Sequence, residues 1–373
     1  MRSILLAGLA LGVLSSGPAL AQVKMGVGAP ITGNSAAFGA QLKNGTTQAV
    51  EDFNKAGGID GQKVELSVGD DASDPKQGVS VANKFASDKV KFVIGHFNSG
   101  VSIPASDVYA DAGVVAISPG STNVKYTERG LWNTFRDCGR DDQQGQVAGD
   151  YLADKYKGKK VAFVHDKTPY GKGLADETLK AFKAKGGKET LYEGINPGEK
   201  DYSALVSKLK QNGVDIVYFG GDYTEAGLIL RQMRDQGLKA PMMGGDGMVD
   251  RELVAIAGPA AEGTLTTFQP DARKKPAAKD VVAAFKAKGI DPEGYTLYAY
   301  AAAQIFKQAV EGAKSTDGKK VAAYMHEGKP FQTVIGPISF DKKGDITKPD
   351  YVIYEWKKGA DGQIGYAGNE LTQ

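Results

Sequence analysis

The sequence predicts an α/β protein built as two doubly wound parallel-sheet lobes, and three observations carry that prediction. From residue 23 to residue 244 short apolar runs alternate with helix-period segments, and the punctuation between them is Gly, Asp, Asn and Pro. The series is long enough for two such sheets. A chain of 373 residues also exceeds one ordinary domain, at roughly 100 to 200 residues each.

The elements follow in order. Strands at 23–27 and 63–68 bracket a helix over 41–54, which stops at the turn Ala56-Gly57-Gly58. Helix 76–87, strand 92–95, helix 103–112 and strand 114–118 repeat the scheme and complete a first lobe. After Arg136 come helix 144–155, strand 160–164, helix 171–185, strand 190–194 and helix 203–212. The buried strand 214–219, the amphipathic helix 225–236 and strand 241–244 finish the second lobe. Later helices are expected at 279–288, 296–313 and 319–327, with extended stretches at 336–340 and 351–356. No repeat, low-complexity segment or Gly/Ser linker interrupts the chain. Several crossings are therefore expected to join the lobes, with 22–140 plus 270–349 in lobe 1 and 141–269 plus 350–373 in lobe 2.

Residues 1–21 read as a secretory signal: Arg2, an apolar run from Ile4 to Leu14, then Ala19-Leu20-Ala21 with small residues where signal peptidase needs them. Cleavage is expected after Ala21, so the mature protein is expected to be exported. The apolar run falls well short of the roughly 20 residues that span a bilayer.

Composition narrows the function. A net charge of +2 gives no reason to expect nucleic acid or an anionic membrane as partner. The lone Cys138 allows no internal disulfide, and His96, His165 and His326 have no metal-ligand spacing, so neither a metal nor any other cofactor is expected. No nucleophile elbow, phosphate loop, dinucleotide fingerprint or H-E-x-x-H motif is present, and the expectation is a protein that is not an enzyme, with no catalytic residues. Cys138 lies beside Arg136 and Arg140 but reads as an inert buried thiol, and His165-Asp166 as neighbours pointing apart on an extended chain.

The polar residues beyond the strand ends are more informative, because open parallel sheets bind ligands there. His96-Phe97-Asn98-Ser99-Gly100 and Pro119-Gly120-Ser121-Thr122 offer hydroxyls and backbone N–H groups suited to a carboxylate or phosphate. Gly220-Gly221-Asp222 and Gly245-Asp246-Gly247 offer carboxylates suited to a cation. Each alone could be an ordinary turn or helix cap; together, one sign per lobe, they suit a zwitterion. Glycine, at 49 residues about twice its usual share, permits close backbone approach at these ends.

These residues resemble a known family, the periplasmic solute-binding proteins of branched-chain amino-acid ABC transporters (the leucine/isoleucine/valine-binding family, with the type I periplasmic binding, or Venus-flytrap, fold). The matching motifs are Ala29-Pro30-Ile31-Thr32-Gly33, Gly57-Gly58-Ile59-Asp60-Gly61, Asp70-Asp71-Ala72-Ser73-Asp74-Pro75, Ile117 to Thr122, His165-Asp166-Lys167 with Tyr170-Gly171, and Val334-Ile335-Gly336-Pro337 with Phe340-Asp341. Gly95 to Ser106 and Leu131 to Gly145 look closest to a subgroup taking varied amino acids, including γ-aminobutyrate. The resemblance implies that Ser99, Thr122 and the backbone of Gly120, Ser121 and Thr122 in lobe 1 hold the ligand carboxylate, that Asp246 in lobe 2 meets the ammonium, and that Tyr170 and Phe38 cover the ligand from either side. It also implies an amino-acid ligand, capture by hinge closure, a membrane permease as partner and a monomer.

Three features depart from the family pattern. The disulfide that many members place between the positions of Ser73 and Asn98 is missing, Asp246 is one methylene shorter than the usual Glu, and Asp222 replaces an aromatic residue. Asp222 could meet a basic side chain or a distant amine, or bind water at the rim, so leucine specificity does not follow. The alternatives are a periplasmic amino-acid sensor component or an exported enzyme on the same fold.

Overall fold

A computed structural model describes residues 22–371; the proposed signal segment, 1–21, lies outside the described residues. The first sheet is wholly parallel, ordered β2-β1-β3-β4-β5. It comprises β1 (Val23–Ala29), β2 (Val64–Asp70), β3 (Phe92–Gly95), β4 (Val115–Ser118) and β5 (Thr134–Arg136). The central strands β3 and β4 are buried along their whole length, as expected when helices cover both faces. Those helices are α1 (Ala36–Lys55), α2 (Pro75–Ser87), α3 (Ser99–Asp111) and the short α4 (Lys125–Glu128).

The chain then crosses to a second sheet, whose helices α5 (Asp141–Lys155), α6 (Pro169–Ala184), α7 (Ser203–Gln211), α8 (Tyr223–Asp235) and α9 (Glu252–Ala257) alternate with β6 (Val161–His165), β7 (Glu189–Gly194), β8 (Ile216–Gly220), β9 (Met242–Gly244) and β10 (Leu265–Phe268). After β10 it returns: α10 (Lys279–Ala287) precedes α11 (Thr296–Ala313), which packs on α1, and α12 (Gly318–Met325), which reaches β4. A small hairpin, β11 (Phe331–Thr333) with β12 (Gly336–Ile338), follows. A third crossing delivers β13 (Val352–Glu355), a minor hairpin of β14 (Lys357–Lys358) with β15 (Ile364–Gly365), and β16 (Glu370–Leu371). The second sheet is ordered β16-β13-β10-β9-β8-β6-β7 and is mixed, since β13 and β16 join its edge antiparallel. The expected doubly wound parallel architecture is present, with this antiparallel margin added.

The lobes touch across the cleft through hydrogen bonds between residues far apart in sequence. Ser35 Oγ donates to Asp222 Oδ2 (2.7 Å), Ala37 N to Tyr223 Oη (3.2 Å), and Gln41 Nε2 to Asp250 Oδ2 (2.6 Å). Thr224 Oγ1 donates to the Asn34 carbonyl and Asn123 Nδ2 to that of Pro169. This is a closed arrangement.

At the first crossing Arg136 is fully buried. Its Nε lies 2.7 Å from Asp345 Oδ1, and its other nitrogens donate to the Asn123 carbonyl (3.0 Å), Thr127 Oγ1 (2.8 Å) and the Ser121 carbonyl (2.5 Å). One guanidinium thus ties the strand end to the loop 121–127. Cys138, next along, is buried, and burial pushes its thiol well above the ordinary range, which agrees with an inert residue.

Candidate functional site

A small cavity lies between the lobes, bordered by Phe97, Asn98, Ser99 and Gly120 on one side and by Tyr170, Asp222, Asp246 and Gly247 on the other, with Tyr295 closing it. Ser99 is the first residue of α3, which starts four residues earlier than the sequence pattern predicts; Pro104 sits inside the helix instead of near its start. The extra turn aims the open N–H groups of a 13-residue helix toward the cavity wall that carries Ser99.

On the opposite wall Thr168 caps α6 by accepting from Gly171 N–H, and Pro169 presets the first turn, so Tyr170 projects from the second position. A Cβ at Gly171 would lie 2.4 Å from the Gly220 carbonyl oxygen, a contact only glycine permits. The Tyr170 hydroxyl accepts from Gly247 N–H (2.8 Å) and donates to Asp246 Oδ1 (2.8 Å). Gln144 Nε2 donates to the same oxygen (3.0 Å), and the Tyr295 hydroxyl donates to Oδ2 (2.6 Å). Gln144 is itself fixed by Thr267 Oγ1 and by Asp246 N–H, both donating to its Oε1. Asp246 therefore sits in a cage of three neutral donors. Burial raises its pKa, and the bonds from Tyr295, Gln144 and Tyr170 pull it part of the way back. Among the described residues no cationic side chain borders this cavity, so the carboxylate lacks a counter-charge there.

Asp222 occupies the N-cap position of α8 yet makes no capping bond. Its Oδ2 turns instead to Ser35 Oγ and to Asn98 Nδ2 (3.2 Å) on the other lobe. Burial first, and then the charges of Asp166, Glu225 and Asp246, push its pKa up to about 8.

Of the residues the sequence singles out, Ser99, Gly120, Tyr170, Asp222 and Asp246 converge on the cavity. Ser121, Thr122 and Phe38 do not border it. Ser121 N–H is taken by Ser118 Oγ (2.9 Å), and its hydroxyl meets Ser102 Oγ and the Phe97 carbonyl; its part is to brace the loop. Thr122 is fully buried, with its carbonyl accepting Asp141 N–H. Phe38 lies one layer back, stacked on Phe97 at 4.4 Å between ring centres and edge-on to Tyr295 at 5.5 Å. The apolar cover thus falls to Phe97 and Tyr295. Sequence reasoning missed Tyr295, since a lone Tyr before a helix gives no signal, and passed over Asn98 and Gln144, which it met only as a turn and a helix start.

Other expectations resolve locally. His165 Nδ1 accepts Lys167 N–H while Asp166 Oδ1 accepts from Thr168, so the two point to separate local partners. Where the family disulfide is missing, the loop is held by Ser73 N–H and Ala72 N–H donating to Asp71 and Asp70 carboxylates, with Thr32 also bonded to Asp70.

Comparison with known proteins agrees with this fold. The periplasmic binding protein family matches residues 22–363. The Leu/Ile/Val-binding protein homolog 1 of Brucella melitensis is 59% identical over 368 residues, covering 98% of this chain and 99% of its own. The leucine-binding protein LivK of Thermotoga maritima superposes with a TM-score of 0.84 at 29% identity, covering 93% of this chain and 98% of its own. The branched-chain amino-acid transporter substrate-binding protein LivJ of Streptococcus pneumoniae, solved with isoleucine, gives 0.83 at 28% identity, covering 95% and 100%.

Proposed function

Because the chain belongs to the periplasmic binding protein family, we propose that it captures an amino acid between its lobes in the periplasm and presents it to the permease of an ABC transporter. The observation that carries this reading is the pairing across one cavity of a helix N-terminus bearing Ser99 with the caged carboxylate of Asp246. An α-carboxylate on the first wall and an α-ammonium on the second satisfy both, and each buried charge then has a partner. Ser99 and Gly120 orient the carboxylate, Asp246 takes the ammonium, and Tyr170 and Tyr295 keep Asp246 from turning away.

Closure follows from where these groups sit. The ligand binds lobe 1 first, then rotation about the three crossings brings Asp246 and Tyr170 onto it, and contacts such as Gln41 to Asp250 form only in the closed state. The closed pair of lobes is what the permease reads, and the chain works as a monomer. The experiment is a thermal-shift panel of the proteinogenic amino acids, since a ligand that binds only the native state raises its melting temperature. No shift with any amino acid at millimolar concentration would refute the proposal.

A further inference from the structure

A second cavity, of about 540 Å³, opens outward from the first, and Asn98, Tyr170 and Asp222 border both. At this neck two buried acceptors have no donor among the described residues: Asp222 Oδ1 and Asn98 Oδ1, one from each lobe. Asp222 is only 9% exposed, and its Oδ1 lies beside Gly247, a residue that borders the inner cavity, where a Cβ would come within 2.7 Å of it. The outer cavity is bordered by three more carboxyl groups, Asp74, Asp166 and Glu225, and by no Lys or Arg among the described residues. Asp74 is spent on the cap of α2, Asp166 on Thr168 and one oxygen of Glu225 on Gly198 N–H. Of these four carboxylates, only Asp222 keeps a buried oxygen without a donor among the described residues.

A buried acceptor without a donor costs about 1 to 3 kcal/mol, and both acceptors here lack the same thing. A primary ammonium supplies three donors and one positive charge. It satisfies both oxygens and offsets the mutual repulsion of Asp222, Asp166 and Glu225.

We propose that the pocket selects an amino acid whose side chain ends in a primary ammonium, held at the neck between Asp222 Oδ1 and Asn98 Oδ1. This rests on the proposed function, which places the α-carboxylate and α-ammonium in the inner cavity. The side chain then runs outward along Tyr170 and ends at the neck, where the two cavities meet.

The test is calorimetric titration of the full mature protein with L-ornithine and with L-norvaline, which has the same carbon chain without the terminal ammonium. Ornithine is expected to bind at least about tenfold tighter than norvaline, and Asp222→Asn to bring the two within about threefold. Norvaline binding as tightly as ornithine to the unmodified protein overturns the inference and leaves amino-acid capture standing. Failure of ornithine, norvaline, leucine and alanine alike overturns both. The unmodified protein decides the matter even if Asp222→Asn folds poorly, and a retained ornithine preference in a folded Asp222→Asn also refutes the neck site.

Discussion

Replacing Asp246 with Asn tests the centre of the binding scheme while keeping the shape of the cage. Three neutral donors already converge on this carboxylate, leaving about one of its four lone-pair positions for the ligand ammonium. The amide of the Asp246→Asn variant would keep a carbonyl oxygen for one or two of those donors but lose the charge and turn an amino group toward the rest. Removing one partner of a buried charge pair costs about 2 to 5 kcal/mol. The retained carbonyl places Asp246→Asn in the lower part of that range, roughly a 30- to 150-fold rise in Kd. Calorimetric titration with whichever amino acid gives the largest thermal shift measures it. The empty protein should melt no lower than the parent, because burial already disfavours the ionised carboxylate there. The carboxylic acid lacking the α-amino group should bind parent and variant alike. A Kd within about fivefold of the parent would refute the assignment of Asp246 to the ammonium.

Three further outcomes are expected. Gln41→Ala removes a donor to Asp250 across the closed cleft, together with an acceptor for Tyr295 N–H inside the first lobe, and should weaken binding by about 5- to 30-fold through a faster off-rate in stopped-flow fluorescence; an unchanged off-rate would count against closure. Arg136→Ala leaves the Ser121 and Asn123 carbonyls without their donor and Asp345 with only Arg140 and Thr127, and should cost about 2 to 3 kcal/mol in urea unfolding; a loss under about 1 kcal/mol would mean that the buried guanidinium is only decorative. Asp222 faces Asp166, Glu225, Asp246 and Tyr170 on its own lobe and Ser35 and Asn98 on the other, and its pKa in the empty protein stands near 8, above its unfolded value. Its protonated form favours folding, so the empty protein should lose stability as pH rises from about 4 and level off above about 8, while ornithine affinity should rise over pH 6 to 8 by up to about tenfold per unit; a flat ornithine profile would refute the coupling.

The lobes were legible because the alternation of apolar runs and helical segments is local. What escaped was set by partners distant in sequence or by elements too short to show a period. Strand β5 has three residues and β10 four, and nothing in Val352 to Glu355 reveals that β13 runs antiparallel to its neighbour. The site divides in the same way. Asp246 and Asp222 stand out as carboxylates framed by glycine at strand ends, whereas Phe38 and Phe97 differ only in which one reaches the cavity, a matter of how α1 stacks. Tyr295 joins Asp246 across 49 residues of chain, and no window of sequence contains both.

The three crossings impose an order on biosynthesis. The edge of the second sheet is completed by β13 and β16, drawn from the final 22 residues of the chain, and the first lobe is completed when α11 settles on α1, with Gln41 meeting Tyr295 across 254 residues. Neither half can finish folding from an N-terminal fragment, since its closing contacts are among the last to be made. For the periplasmic role proposed above, that delay is an advantage. A chain threaded through a membrane from its N-terminus stays free of locked tertiary structure until nearly all of it has passed.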